Sequence, residues 1–276
     1  MVKEFTDLQG VVGGLYARYQ GEHEAVAQAI YDHYLPLSME GEIPSTHEGC
    51  IVALADKLDT LRGCFAVGLV PTGSKDPFAL RRAAQGVVKI LVEAKLEYRL
   101  DDLASGELRD FLLDRIKYYF RDIRGFKYDE VNAVLASGCG TLTDVEARLT
   151  ALAAVRPTED FEPLAASFKR IQNILKQAGF EPKDVLDEDL LEDGPERELY
   201  GNFVRVRDAA RGESYRRALE QIASLRPRVD TFFDKVLVNA KVERVRNNRL
   251  TLLNYLLTEF STIADFSEIV TSGEKS

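Results

Sequence analysis

Apolar residues recur along this chain at steps of three and four, and almost nowhere at alternate positions, so the backbone has to be helical nearly throughout. The clearest case is residues 163–178, where Leu164, Phe168, Ile171 and Leu175 form one stripe while Lys169, Asn173 and Lys176 lie on another face. Ala53, Leu54, Leu58 and Leu61 repeat the pattern within 49–70, with Asp56 and Lys57 beside them and expected to form ion pairs at the core edge. Val242, Val245, Leu252, Leu256 and Phe260 repeat it within 241–260. Further helices are expected at 78–96, 199–210, 213–225 and 228–239, with three short ones over 107–156. Residues 1–35 read as helix, Gly-rich break, helix, the second carrying Val26, Ala29, Ile30 and Tyr34 and stopped by Pro36. VPTGSKDPFA is a turn, Ser105-Gly106 a break, and the closing TSGEKS a disordered tail. The fold class is all-α, and 276 residues suffice for one large domain or two ordinary ones.

Charge and chemistry narrow the function. The net charge of -9 argues against a general nucleic-acid binder, which would be basic overall. Cys50, Cys64 and Cys139 form neither a disulfide framework nor a zinc knuckle; they read as structural thiols, with Cys139 in SGCG the more exposed. No apolar stretch is long enough to span a membrane and no secretory leader opens the chain, so the expected location is cytoplasmic. His23, His33 and His47 show no metal-ligand spacing, and His33 reads as a capping or packing residue. Asp56 and Asp59 lie one turn apart, but one helix supplies only two ligands, leaving Asp56 a weak metal candidate. Gly73, Ser74 and Lys75 lack the rest of a phosphate-binding loop, although Arg81 and Arg82 nearby offer phosphate contacts. No nucleophile–base arrangement is visible, so no catalytic residue is assigned.

Local charge tells a different story from the total. Residues 202–250 carry twelve bases against six acids, with Arg205 and Arg207 upstream of a cluster formed by Lys241, Arg244, Arg246, Asn247, Asn248 and Arg249. Arg and Asn together suit phosphate contact and base-edge reading; a solvated helix face with ion pairs accounts for the same residues equally well. Residues 181–198 carry nine acids against two bases and read as a mobile linker or a solvated loop.

Several stretches resemble one family. EFTDLQGVVGGLYARYQGE, VAQAIYDHYLP, CIVALADKLDTLRGCFAVGLVPTGSKDPFALRRAAQGV, FKRIQNIL, LRPRVDTFFDKVLV, VRNNRLTLLNYL and ADFSEI are similar to the beta subunit of bacterial tetrameric glycyl-tRNA synthetase, and the chain looks like its C-terminal part. The resemblance implies an HD-like helical domain over 1–105, a helical connector over 106–154 and, over 155–276, a helical-bundle anticodon-binding domain like that of arginyl- and other class I synthetases. It implies tRNA(Gly) as a partner, and an alpha subunit that carries the ATP- and Mg2+-dependent chemistry within a tetramer of two alpha and two beta subunits. No cofactor is implied for this stretch itself. It marks Lys169, Arg170, Asn173, Arg205, Lys241, Arg246, Asn247 and Arg249 as RNA-contact candidates, with Arg81 and Arg82 in the first region. Asp56 matches the last Asp of the HD pattern, yet the chain contains no His-Asp dipeptide. The competing readings are a metal-dependent HD-type phosphohydrolase and a purely structural helical partner.

Overall fold

The computed structural model describes residues 4–73, 75–182 and 185–271. Ser74 of the expected turn, Lys183 and Asp184 of the acidic stretch, and the tail after Thr271 lie outside them. Among the described residues every regular element is helical, apart from a single antiparallel bridge pairing Thr72 with Lys75. None of these helices is long and apolar enough to cross a membrane. The chain divides into two units, one of residues 1–125 with 139–146 and one of 126–138 with 147–276.

The first unit begins with an antiparallel pair, α1 (Val12–Tyr19) and α2 (Glu24–Asp32). Gly13 and Gly14 do not break the chain; they lie inside α1, where its backbone meets α2. A Cβ at Gly14 would stand 2.7 Å from the Cβ of Tyr31 and 2.8 Å from the carbonyl of Ala27, so only glycine permits this approach. On α2 the buried positions are Ala27, Ala29 and Asp32, whereas Val26 is exposed, so the expected stripe is only partly the packed one. His33 caps the helix, with Nδ1 2.5 Å from the carbonyl of Ile30.

Helix α3 (His47–Ala66) starts where Thr46 accepts from the amide of Gly49 at 3.0 Å, and it buries Ala53, Leu54, Leu58 and Leu61. Lys57, expected at the core edge in an ion pair, is instead 7 % exposed, and its Nζ donates to the carbonyls of His33, Tyr34 and Leu35 at 3.1, 3.3 and 2.8 Å. Those carbonyls follow the end of α2 and need donors once water is excluded. Burial pushes the Lys57 ammonium down to about 8, which leaves it charged at neutral pH. Gly86 of α4 (Leu80–Glu93) makes room for it, since a Cβ there would lie 2.7 Å from Cε of Lys57. The first turn of α4 is held by Asp76, whose carboxylate accepts from the amides of Leu80 and Arg81 at 2.8 and 3.0 Å. Short α5 (Leu100–Leu103) and α6 (Gly106–Tyr118), which runs into a π-type turn at Tyr119–Ile123, complete the unit. Cys50 and Cys139 are buried and Cys64 half-buried, so Cys139 is not the exposed thiol.

The second unit contains α7 (Tyr128–Ala136), the later part of α8 (Leu142–Val155), α9 (Phe161–Gln177), α10 (Pro195–Ala210), α11 (Tyr215–Ala223), α12 (Arg226–Lys235) and α13 (Glu243–Phe260). Its core is aromatic. Phe168 stands 5.2 Å from Phe266 and 6.3 Å from Phe260, and Phe203 stands 5.5 Å from Phe260, ring centre to ring centre. The stripe Leu164, Phe168, Ile171 and Leu175 is buried throughout. On α13 Leu252, Leu256 and Phe260 are buried, but Val242 is 61 % exposed and precedes the helix.

Among its described residues the acidic stretch is tied down rather than mobile, although Glu188, Asp189, Glu192 and Asp193 stay exposed, as in a solvated loop. It forms a strap on α13: Leu186 and Leu191 are buried, a 3-10 turn occupies Glu188–Leu190, and Pro195 opens α10 at a position where a missing N–H costs nothing.

Candidate nucleic-acid interface

The strap sorts the polar run at the start of α13 into two groups. Asn248 is buried and clasps the strap backbone: its Nδ2 donates to the carbonyl of Asp187, and its Oδ1 accepts from the same residue's amide, both at 2.9 Å. Arg244 is exposed and meets the Asp187 carboxylate at 2.8 Å. Arg249 is 5 % exposed; its Nε donates to Oε1 of Glu196 at 2.6 Å and its Nη1 to the carbonyl of Leu237 at 2.9 Å, while Glu192 lies 3.0 Å from Nη2. These side chains bind the unit to itself. Arg249 is thereby a positioning residue, with its charge spent inside.

Arg246 and Asn247 belong to the other group. Arg246 has only a loose pairing with Glu243 at 3.9 Å, and among the described residues nothing hydrogen-bonds the Asn247 amide. Positions 243, 246, 247 and 250 share one face of a helix. That face forms one wall of a crevice of about 670 Å³, whose other wall is Gln177–Glu181, with Asn239 at its edge. On its other side Asn247 also lines a smaller cleft of about 340 Å³ with Val185, Asp187 and Arg244.

The opposite wall has a defined origin. Helix α9 ends in a Schellman motif: Gly179, at φ +55°, donates to the carbonyl of Lys176 at 3.1 Å, and Phe180 donates to that of Leu175 at 3.0 Å. The motif fixes Phe180 at the crevice. Sequence reasoning missed Gln177, Phe180, Asn239 and Glu243; the glycine directly after the periodic run of α9 was the available signal for the motif.

The remaining candidates are more dispersed. On α9, Arg170 is exposed and stacks its guanidinium 4.2 Å from the ring centre of Phe233, while Asn173 is exposed and Lys169 half-buried. Arg205 on α10 is exposed and donates to Asn202. Lys241 is exposed just before α13. In the first unit, Arg81 donates to the carbonyls of Gly73 and Lys75 at 2.7 and 3.4 Å, bracing the turn, and Arg82 is exposed. Asp56 is exposed on α3, and among the described residues no group of three or more His, Cys, Asp or Glu is placed to hold a metal.

Both units are helical among the described residues, and residues 164–266, which include the Arg–Asn face and the crevice, match the model of the DALR anticodon binding domain. Residues 1–136 match that of the glycyl-tRNA synthetase beta subunit. The chain belongs to the glycyl-tRNA synthetase beta-subunit family. It is 50% identical to the glycine–tRNA ligase beta subunit of Acidobacterium capsulatum, over 99% of this chain and 42% of that protein. With the corresponding subunit of Geobacter metallireducens it is 43% identical over 98% of this chain and 42% of the relative, and with that of Klebsiella pneumoniae 41% over 97% and 42%. The chain thus spans about two fifths of the length of these relatives.

Proposed function

We propose that this chain binds tRNA(Gly) through its second unit and contacts the anticodon there, while glycylation with ATP and Mg2+ is carried out with the alpha subunit in a tetramer of two alpha and two beta subunits in the cytoplasm. The observation that carries this reading is the sorting of α13. Arg244, Asn248 and Arg249 are committed to the strap, whereas Arg246 and Asn247 face a crevice within the region matched to an anticodon binding domain. Anticodon bases are splayed from their stack and read along their edges, which requires uncommitted donors beside a recess. Lys169, Arg170, Asn173, Arg205 and Lys241 then supply contacts to the sugar-phosphate backbone, and Arg81 and Arg82 supply them from the first region. Binding energy gained at the anticodon serves the reaction by orienting the acceptor end near the activated glycine on the partner subunit. The organisation we assign is an HD-like region over 1–105, a connector over 106–154 and an anticodon-binding domain over 155–276. Among the described residues no group of three or more His, Cys, Asp or Glu is placed around Asp56 to support a metal-dependent phosphohydrolase.

Chemical footprinting of tRNA(Gly) with the full chain tests this. The expected result is protection of the anticodon loop that disappears in an Arg246→Ala/Asn247→Ala variant with an unchanged melting curve. Protection confined to the acceptor arm, or none at saturating protein, would overturn the reading.

A further inference from the structure

Helix α1 turns its bulk outward. Its face toward α2 is built from small residues, with Gly14 and Ala17 buried and no room for a Cβ at Gly14. Its large apolar residues point the other way: Leu15, Tyr16 and Tyr19 are 48, 53 and 89 % exposed. With Val12 they recur at steps of three and four, so they form one continuous stripe along the helix. A single exposed apolar side chain is ordinary on a protein surface, whereas a whole helical stripe left in water forfeits the burial that normally holds an amphipathic helix in place. Tyrosine, with an apolar ring and a polar tip, suits a surface that another surface covers.

The size of the stripe decides what kind of partner covers it. The helix has 8 residues, a length of about 12 Å. The exposed parts of its apolar side chains amount to roughly 300–400 Å². That is about half of the roughly 800 Å² that each partner buries in a stable complex of separate molecules. A patch of this size is sufficient when its partner belongs to the same polypeptide, because tethering supplies an effective concentration on the order of millimolar. The relatives are more than twice as long as this chain, so most of a beta subunit is available as such a partner.

We propose that the outer stripe of α1 is an intramolecular seam, on which the portion of the beta subunit that this chain does not span packs an apolar surface of its own. In the whole subunit α1 is then held on both faces, by α2 through small residues at close approach and by the other portion through Leu15, Tyr16 and Tyr19.

Tyrosine nitration by tetranitromethane, read residue by residue with mass spectrometry, tests the seam. Two proteins are compared: the 276-residue chain, and the Acidobacterium capsulatum beta subunit with its corresponding two fifths replaced by this chain. Tyr16 and Tyr19 are expected to react freely in the first and at least about 10-fold more slowly in the second, the factor for a seam closed about nine-tenths of the time. A Leu15→Ser/Tyr19→Ser variant of the 276-residue chain is expected to melt with the wild type, because both side chains are exposed there, and the same changes in the whole subunit are expected to restore the reactivity of Tyr16. Equal reactivity of the two tyrosines in both proteins would overturn the proposal. So would protection already present in the 276-residue chain, where sedimentation velocity tells a second copy from cover within one chain. Protection that arises in the whole subunit only on adding the alpha subunit would overturn it as well.

Discussion

Replacing Arg249 with alanine is expected to destabilise the second unit by about 3–5 kcal/mol, a large fraction of the roughly 5–15 kcal/mol that holds an ordinary domain folded. The side chain of Glu196 is 1% exposed and that of Arg249 7%, and their contact is the main neutralisation each receives. Removing the guanidinium strands a carboxylate in the interior and also frees the carbonyl of Leu237. Glu192, at 70% exposure, is solvated and loses little. Urea denaturation followed by far-UV circular dichroism checks this. An Arg249→Met/Glu196→Leu variant should recover most of the loss, because the desolvation cost of both charges vanishes with them. If Arg249→Ala unfolds with the wild type, the buried pair does not hold α13 to the start of α10.

An Arg156→Ala variant is expected to cost a similar amount, about 3–5 kcal/mol, for a related reason in another part of the same unit. The guanidinium of Arg156 spans Asp129, at 2.8 and 2.6 Å, and Glu130, at 2.9 Å, both carboxylates being almost fully buried. Asp129 also accepts from the amide of Val270 at 2.9 Å, so the cluster ties α7, α8 and the C-terminal segment together. Burial pushes the Asp129 carboxyl up, but the bonds from Arg156 and from the amides of Val270 and Glu130 outweigh it and leave the group below its ordinary value. A depressed folded-state value means that the unfolded chain binds the proton more readily. The stabilisation is therefore complete above the ordinary carboxylate range, near pH 4, and is lost as pH falls through the folded-state value. Midpoints of urea unfolding across pH 2.5–6 should fall with acid in the wild type and less steeply in Arg156→Ala. Equal slopes would show that Asp129 draws its low value from the backbone amides alone.

The helices were legible because burial on one face leaves a mark at every third or fourth residue. The stripe of α9 survives intact in the structure, and so does the inner half of α13. Other features depend on contacts that no local pattern encodes. Gly13 and Gly14 look like a break to propensity, yet they mark where α1 lies against Tyr31 and Ala27. Lys57 sits beside an apolar stripe, and nothing in its neighbourhood says that three carbonyls wait for it across the unit.

The same limit applies to the interface. Arg246, Asn247, Asn248 and Arg249 are consecutive polar residues, and composition treats them alike. A helix separates them by rotation, and the strap then takes Asn248 and Arg249 while leaving Arg246 and Asn247 to the crevice. The strap was itself obscure, since Leu186 and Leu191 are embedded among acids with no helical or alternating period. An Arg246→Ala/Arg249→Ala variant confounds recognition with stability, because Arg249 is paired inside the unit, whereas Arg246→Ala/Asn247→Ala separates the two.

The most direct measurement is competition for the full chain between tRNA(Gly) and the same tRNA with its anticodon swapped, at near-physiological salt, where attraction to the backbone alone is weakened. The account predicts that tRNA(Gly) wins, and that the preference vanishes in a folded Arg246→Ala/Asn247→Ala variant. Equal binding of the two tRNAs by the wild-type chain would contradict it.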